Sequence, residues 1–115
     1  MNKVYFLKIK EKTDDILYQA GKKIFSAFSD FFGKEDSVAV KVHFGEKNNV
    51  TSLNPLFVKG ICEELGQRVK NLALVDCTVL YKSQRSFGPT HKKLAIDNGF
   101  DFAPVEILDG DRGKD

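Results

Sequence analysis

Four short apolar runs along the chain are typical of β-strands, and they cover residues 4–9, 38–44, 72–77 and 105–108. The runs begin 34, 34 and 33 residues apart. Helical repeats have periods of this length, but here every period opens with a β-rich run and lacks the residue signatures of such repeats. The spacing instead predicts successive βα units, because a strand with its crossover helix needs about 30 residues.

Apolar residues at helical spacing predict an α-helix in each interval between the runs. The first helix is predicted over 14–32. The second begins with Asn54 as the N-cap and Pro55 at the first helical position, where both residue types are favoured. The third begins near Pro89 and ends at 98–99, where an Asn-Gly pair is a typical stop signal.

The predicted order βαβαβαβ favours an α/β fold, in which helices cover a parallel sheet through right-handed crossovers. We therefore expect a three-layer, Rossmann-like domain with a mainly parallel sheet of four strands. Residues 1–110 are predicted to form this single α/β domain, and 111–115 a polar C-terminal tail. Because four strands make a small sheet, two alternatives stay open: a minimal α/β sandwich, or a truncated part of a larger domain.

The composition is that of an ordinary folded domain, with 42% hydrophobic and 30% charged residues. The 18 basic and 16 acidic side chains give a net charge of +2, and without a basic stripe no nucleic-acid partner is expected. Lys8 interrupts the first apolar run, and no run approaches the roughly 20 residues of a membrane helix. We therefore expect a cytoplasmic protein with no membrane partner.

Polar side chains collect where the predicted strands end. In an open parallel sheet, ligands bind beyond the carboxyl ends of the strands. Seven residues in or next to these loops are therefore candidates for ligand binding: Lys41, His43, Glu46, Asp76, Thr78, Arg85 and His91. Among them, the cations would neutralise ligand charge, the carboxylates would act as acid–base groups or as ligands, and the histidines would change protonation near neutral pH.

Some of these positions allow contrasting interpretations. Lys41 and His43 lie near the end of a strand, where they either reach solvent or point into a cleft and contact an anion or a metal ion. Residues 91–93 place three basic side chains in the first turn of the third helix, against the helix dipole. Either an anion bound there and gripped by Arg85 offsets this conflict, or the basic patch is simply solvated.

A metal ion is a further candidate ligand, because suitable donor atoms are predicted at one edge of the sheet, on His43, Glu46, Asp76, His91 and Asp109. These residues show no metal-motif spacing such as HExxH. Cys62 is predicted in the core and Cys77 at a more exposed strand end. Two cysteines are too few for an iron–sulfur cluster, which normally needs about four, so no cofactor is demonstrable in this chain.

The loop motifs resemble those of a known family when they are taken together. The motifs are 40–46, 54–55, 75–81, 85–86, His91, 98–100 and 109–110. Over about 38–113 they look like the N-terminal region of the domain-of-unknown-function 362 family, whose members are commonly described as iron–sulfur cluster-binding proteins. The resemblance implies a 4Fe-4S cluster held by cysteine motifs in segments absent from this sequence. It also implies that the chain is a fragment or a truncated member.

Two functional hypotheses follow from the sequence. In the first, the chain is the N-terminal α/β domain of an iron–sulfur-type protein, and its cleft at the strand carboxyl ends binds a small anionic ligand or a metal ion. In the second, it is a non-catalytic assembly module that pairs through an exposed sheet edge, with the missing C-terminal part or with a second copy as the partner. Enzymatic activity stays open under the first hypothesis.

Overall fold

The computed structural model describes residues 1–114 and has a mixed α/β fold. The helices are α1 (Asp14–Phe25), α2 (Pro55–Gly66) and α3 (Gly88–Asp97), and the strands are β1 (Ser37–Lys41), β2 (Asn71–Asp76) and β3 (Val105–Ile107). Short 3-10 turns lie at Ser29–Phe31 and Gln84–Ser86. The predicted α/β class is therefore confirmed.

The three strands form a sheet in the order β1-β2-β3. β2 and β3 pair in parallel, with Leu74 opposite Val105 and Asp76 opposite Ile107. On the other side of β2, the Val42 N–H donates to the Val75 carbonyl over 3.0 Å, just beyond the end of β1. Since α3 lies between β2 and β3 in the sequence, these elements make a parallel βαβ unit.

The predicted strand over 4–9 is wrong, and the sheet in the described part of the chain has three strands instead of four. Leu7 and Ile9 line a groove against α1, and the Tyr5 ring packs edge-on against Phe28 with ring centroids 5.2 Å apart. A β-rich run becomes a strand only where a neighbouring strand accepts its backbone hydrogen bonds. Here Leu7 and Ile9 lie against α1 without such pairing, while Val4 and Phe6 are exposed.

The first helix begins as predicted but ends earlier. Thr13 caps it by accepting a hydrogen bond from the Ile16 N–H over 3.3 Å, and α1 ends at Phe25, not at residue 32. Ser26 and Ser29 donate their hydroxyls to backbone carbonyls three residues earlier, over 2.7 and 3.1 Å. Such side-chain bonds compete with helical backbone pairing, and the chain continues as a 3-10 turn.

The starts of the other two helices agree with the sequence. The Asn54 side chain accepts a hydrogen bond from the Leu56 N–H over 2.8 Å, and Pro55 is the first residue of α2. α3 covers 88–97 with Asn98 as its C-cap, and Gly99 follows with a φ of +95°. These two predictions are confirmed because caps are local interactions that the sequence specifies directly.

The described residues fall into two compact units. The first unit combines 1–37 with 54–71 and holds α1 and α2. The second combines 38–53 with the chain from 72 onward and holds most of the sheet, α3 and the loops after the strands. The predicted polar tail falls in the second unit, and its last residue, 115, lies outside the described residues.

In the first unit, two glycines allow α1 and α2 to approach closely. A Cβ atom on Gly60 would lie 2.1 Å from the Tyr18 carbonyl oxygen, and one on Gly21 would lie 2.0 Å from that of Phe57. Beside this contact the Cys62 side chain is buried as predicted, and burial raises the pKa of its thiol to about 11. The helix pair therefore requires the glycines, although in isolation they weaken each helix.

We expect Gly60→Ala to destabilise the protein, by about 1–3 kcal/mol, since the added methyl group meets backbone instead of a flexible side chain. The matched control is Gly66→Ala at the exposed end of the same helix, where alanine should be neutral or slightly stabilising. Urea unfolding of the two variants and the wild type measures the difference. If Gly60→Ala were as stable as Gly66→Ala, the close contact between the helices would be contradicted.

Candidate functional site

Phe44, just after β1, anchors the first loop of the site. Its side chain is fully buried and packs edge-on against Phe100, with ring centroids 5.2 Å apart. Its carbonyl accepts a hydrogen bond from the Asn98 side chain over 2.9 Å. Because neighbouring residues in an extended segment point to opposite sides, this anchoring turns His43, which is exposed, away from the core.

The centre of the site is the guanidinium of Arg85, a residue that is only 4% exposed. Its Nη2 donates to Asp76 Oδ2 over 3.0 Å and its Nε donates to His91 Nε2 over 3.3 Å. Its Nη1 donates to the Tyr81 hydroxyl over 3.0 Å and to Glu46 Oε1 over 3.3 Å. Arg85 therefore joins the loops after β1 and β2 to the first turn of α3.

Asp76, the last residue of β2, is the buried carboxylate of the site and is 3% exposed. It accepts hydrogen bonds from Lys41 Nζ over 2.6 Å and from the Cys77 N–H over 2.9 Å, in addition to that from Arg85. Burial by itself would raise the pKa of Asp76, but the Lys41, Cys77 and Arg85 donors outweigh it and hold this pKa below its usual value. Asp76 is therefore ionised at neutral pH.

Glu46 and Tyr81 form the outer part of the cluster. The Tyr81 hydroxyl donates to Glu46 Oε1 over 2.6 Å. Burial acts to raise the pKa of Glu46, but the bonds from Tyr81 and Arg85 lower it overall, while the same Glu46 contact raises the pKa of Tyr81. The sequence prediction included Glu46 but omitted Tyr81 from the binding residues. The signal for Tyr81 was its place in the 75–81 motif, in the same loop as the other candidates.

Thr78 belongs to a second polar contact. Its N–H and hydroxyl both donate to the Asp109 carboxylate, over 2.8 and 2.6 Å, and the hydroxyl bond lowers the pKa of Asp109. This pair closes the loop after β2 onto the loop after β3. The structure therefore brings six of the seven predicted residues together around the guanidinium, namely Lys41, His43, Glu46, Asp76, Arg85 and His91, and places Thr78 in the neighbouring pair.

At the start of α3, the structure separates the three basic residues that the sequence groups together. His91 is fully buried, while Lys92 and Lys93 are exposed. The Gly88 N–H donates to the Asp111 carbonyl over 2.9 Å, so the chain itself satisfies this donor at the helix start. Arg85 points into the cluster, where its N–H groups have protein acceptors. The basic patch consists of the two lysines, and His91 belongs to the buried site.

The polar cluster is not arranged as a metal site. Within residues 1–114, no group of three or more His, Cys, Asp or Glu side chains is placed to hold a metal ion. The physical reason is that Asp76 and Glu46 already accept hydrogen bonds from cationic side chains, and Asp109 accepts from Thr78. The two cysteines, one buried and one exposed, do not fit a 4Fe-4S cluster, which normally needs about four thiolates.

Comparison with known proteins finds no match: no family model fits the chain, and no curated protein and no solved structure matches it. In the described part of the chain, no helix is long and apolar enough to cross a membrane. Evidence on function therefore comes from the geometry and electrostatics of the polar cluster.

Arg85→Met should destabilise the protein by about 3–5 kcal/mol, because it keeps much of the side-chain volume but leaves the buried Asp76 carboxylate without its guanidinium partner. Adding Asp76→Asn to this variant should recover part of the loss, since it removes a buried charge that then has only Lys41 as its ionic partner. Urea unfolding of both variants tests this. Lys93→Met is the control, because its ion pair with Asp97 is exposed. A loss as small as that of the control would contradict the central role of Arg85.

Stability should fall as the pH is lowered from about 7.5 to about 5.5, because the unfolded chain protonates His91 near its ordinary pKa of about 6.5. In the folded state the pKa of His91 is lowered, because burial disfavours the charged imidazole and Arg85 acts in the same direction. Together these two effects outweigh that of Asp76, which raises the pKa. Folding therefore releases a proton in this range. His91→Phe should flatten the dependence measured by urea midpoints, and an unchanged slope would contradict the assignment.

Proposed function

We propose that the chain is an α/β domain that binds a small anionic ligand at the polar cluster beyond the carboxyl ends of β1 and β2. The observation that carries the proposal is a buried ionic network, centred on the Arg85–Asp76 pair, that opens to solvent through Lys41 and His43. Buried ion pairs are an inefficient way to stabilise a fold, since apolar residues of similar volume often do so better. Their position, where α/β sheets bind ligands, favours a binding role.

Lys41 is the proposed contact for the negative charge. Its ammonium group lies 2.6 Å from Asp76 Oδ1, while its side chain is 60% exposed. An ammonium group has three hydrogens, and within the described residues Asp76 is its hydrogen-bond acceptor. Asp76 therefore fixes the direction of the ammonium group and leaves donors that face solvent.

The sequence predictions that go beyond the α/β class belong to the same proposal. The parallel βαβ unit of β2, α3 and β3 supports a Rossmann-like, three-layer arrangement. The 40–46 and 75–81 motifs cover the ends of β1 and β2 and the loops after them, which build the cluster. Membership of the domain-of-unknown-function 362 family, a place at the N-terminal end of a longer iron–sulfur-type protein, and a cytoplasmic location stay predictions. Pairing through a sheet edge also stays a prediction, with β1 and β3 as the edge strands.

Titration of the protein with inorganic phosphate and with acetate, followed by amide NMR, tests the proposed function. We expect saturable shifts confined to residues 41–46 and 76–81, with dissociation constants in about the millimolar range for such small probes. Lys41→Gln should weaken binding by at least about tenfold, since a hydrogen bond to a charged group contributes about 1.5–3 kcal/mol.

Lys47→Gln is the matched control, because this exposed lysine lies in the same loop and carries the same charge. It should bind both anions as the wild type does, at constant ionic strength. Equal affinities of the two variants, or shifts that never saturate, would show that surface charge alone attracts the anions.

A further inference from the structure

Two hydrogen-bond donors converge on the imidazole of His43. The Gly45 N–H lies 3.0 Å from Nδ1, and Arg85 Nη1 lies 2.7 Å from Nε2. A backbone N–H and a guanidinium can only donate, and a neutral imidazole has one acceptor nitrogen. In either tautomer, one of the two donors therefore faces an N–H of the ring.

The tautomer with the proton on Nε2 leaves fewer donors unsatisfied. Gly45 is buried at a φ of +83°, and an unpaired buried N–H is unfavourable, so Nδ1 is needed as its acceptor. One hydrogen of Arg85 Nη1 goes to the Tyr81 hydroxyl at 3.0 Å. The other makes a long 3.3 Å contact with Glu46 Oε1, which already accepts from Tyr81, so an anion oxygen can replace Glu46 as its acceptor. Arg85 Nη1 does not depend on the His43 ring, and the Nε2–H of that ring then faces the guanidinium.

We infer, on the basis of the proposed function, that His43 Nε2–H and Arg85 Nη1 together receive one oxygen of a carboxylate or phosphate group. An oxygen that accepts from both nitrogens relieves the contact between the two donors, and because His43 is exposed the oxygen can reach the ring from solvent. Lys41, two residues earlier, supplies positive charge at the same open side. The site therefore takes an oxyanion.

The chemical class of the ligand follows from the hydrogen-bond donors that point to the open side of the site. Asp76 already accepts at Oδ1 from Lys41 and at Oδ2 from Arg85. Glu46 already accepts at Oε1 from Tyr81. A hydroxyl or amino group would bring a further donor to a place where three donors already point. A group that only accepts, and that carries negative charge, satisfies the donors without adding another.

Long-range proton–nitrogen NMR of the histidine side chains, with His91→Phe for assignment, tests the inference. We expect the Nε2–H tautomer of His43 in the protein alone, and shifts of its ring resonances that follow added inorganic phosphate or acetate with the same dissociation constant as the backbone shifts. His43→Phe should weaken binding by about tenfold. His43→Gln should stay within about threefold of the wild type, because an amide can both accept from Gly45 and donate to the anion.

The outcomes separate this inference from the proposed function. The inference is overturned if anion binding depends on Lys41 but the His43 ring does not respond and His43→Phe binds normally. The proposed function then stays intact. The Nδ1–H tautomer also overturns it. Absence of saturable shifts anywhere overturns both. Binding of acetate alone or of phosphate alone supports the inference and identifies which oxyanion the site takes.

Discussion

The ion pair between Arg85 and Asp76 is the interaction on which the rest of the site depends. Both side chains are almost completely buried, 5% and 4% exposed, and the Nη2–Oδ2 distance is 3.0 Å. Each of these charges is the other's buried partner, because their further ion pairs, with Lys41 and with Glu46, are made to more exposed side chains. Through Asp76 the pair holds Lys41, and through Arg85 it holds the Glu46 loop. Two strand ends and two loops are thus fixed by one pair of opposite charges.

The loop after β1 has two faces with different chemistry. Phe44 lies in the apolar core, while its neighbour His43 lies at the open side of the ionic network. A rigid apolar anchor beside a polar side chain restricts where that side chain can move. The core packing of the second unit therefore also determines the geometry of the site, and a core substitution at Phe44 would displace polar atoms that it does not itself touch.

Local signals in the sequence predicted more of the fold than of the side-chain network. Asn54 and Pro55 marked the start of α2 because capping involves residues only a few positions apart. Residues 4–9 had the composition of a strand but lacked a pairing partner, which no local pattern reveals. The topological rule pointed to the strand ends where the polar cluster lies, but the burial of Arg85 and the contact of Tyr81 with Glu46 depend on loop paths and rotamers. Such features arise from tertiary packing, and no periodic pattern in the sequence predicts them.

The hydroxyl bond from Tyr81 to Glu46 also gives the site its own optical signal. The chain contains no tryptophan and three tyrosines, so tyrosine dominates its ultraviolet emission. Two of these phenols, Tyr18 and Tyr81, donate to carboxylates, and of these Tyr81 belongs to the candidate site. A change that separates Tyr81 from Glu46 alters the electronic environment of one chromophore out of three. Opening of this loop can therefore be followed by fluorescence without an attached label.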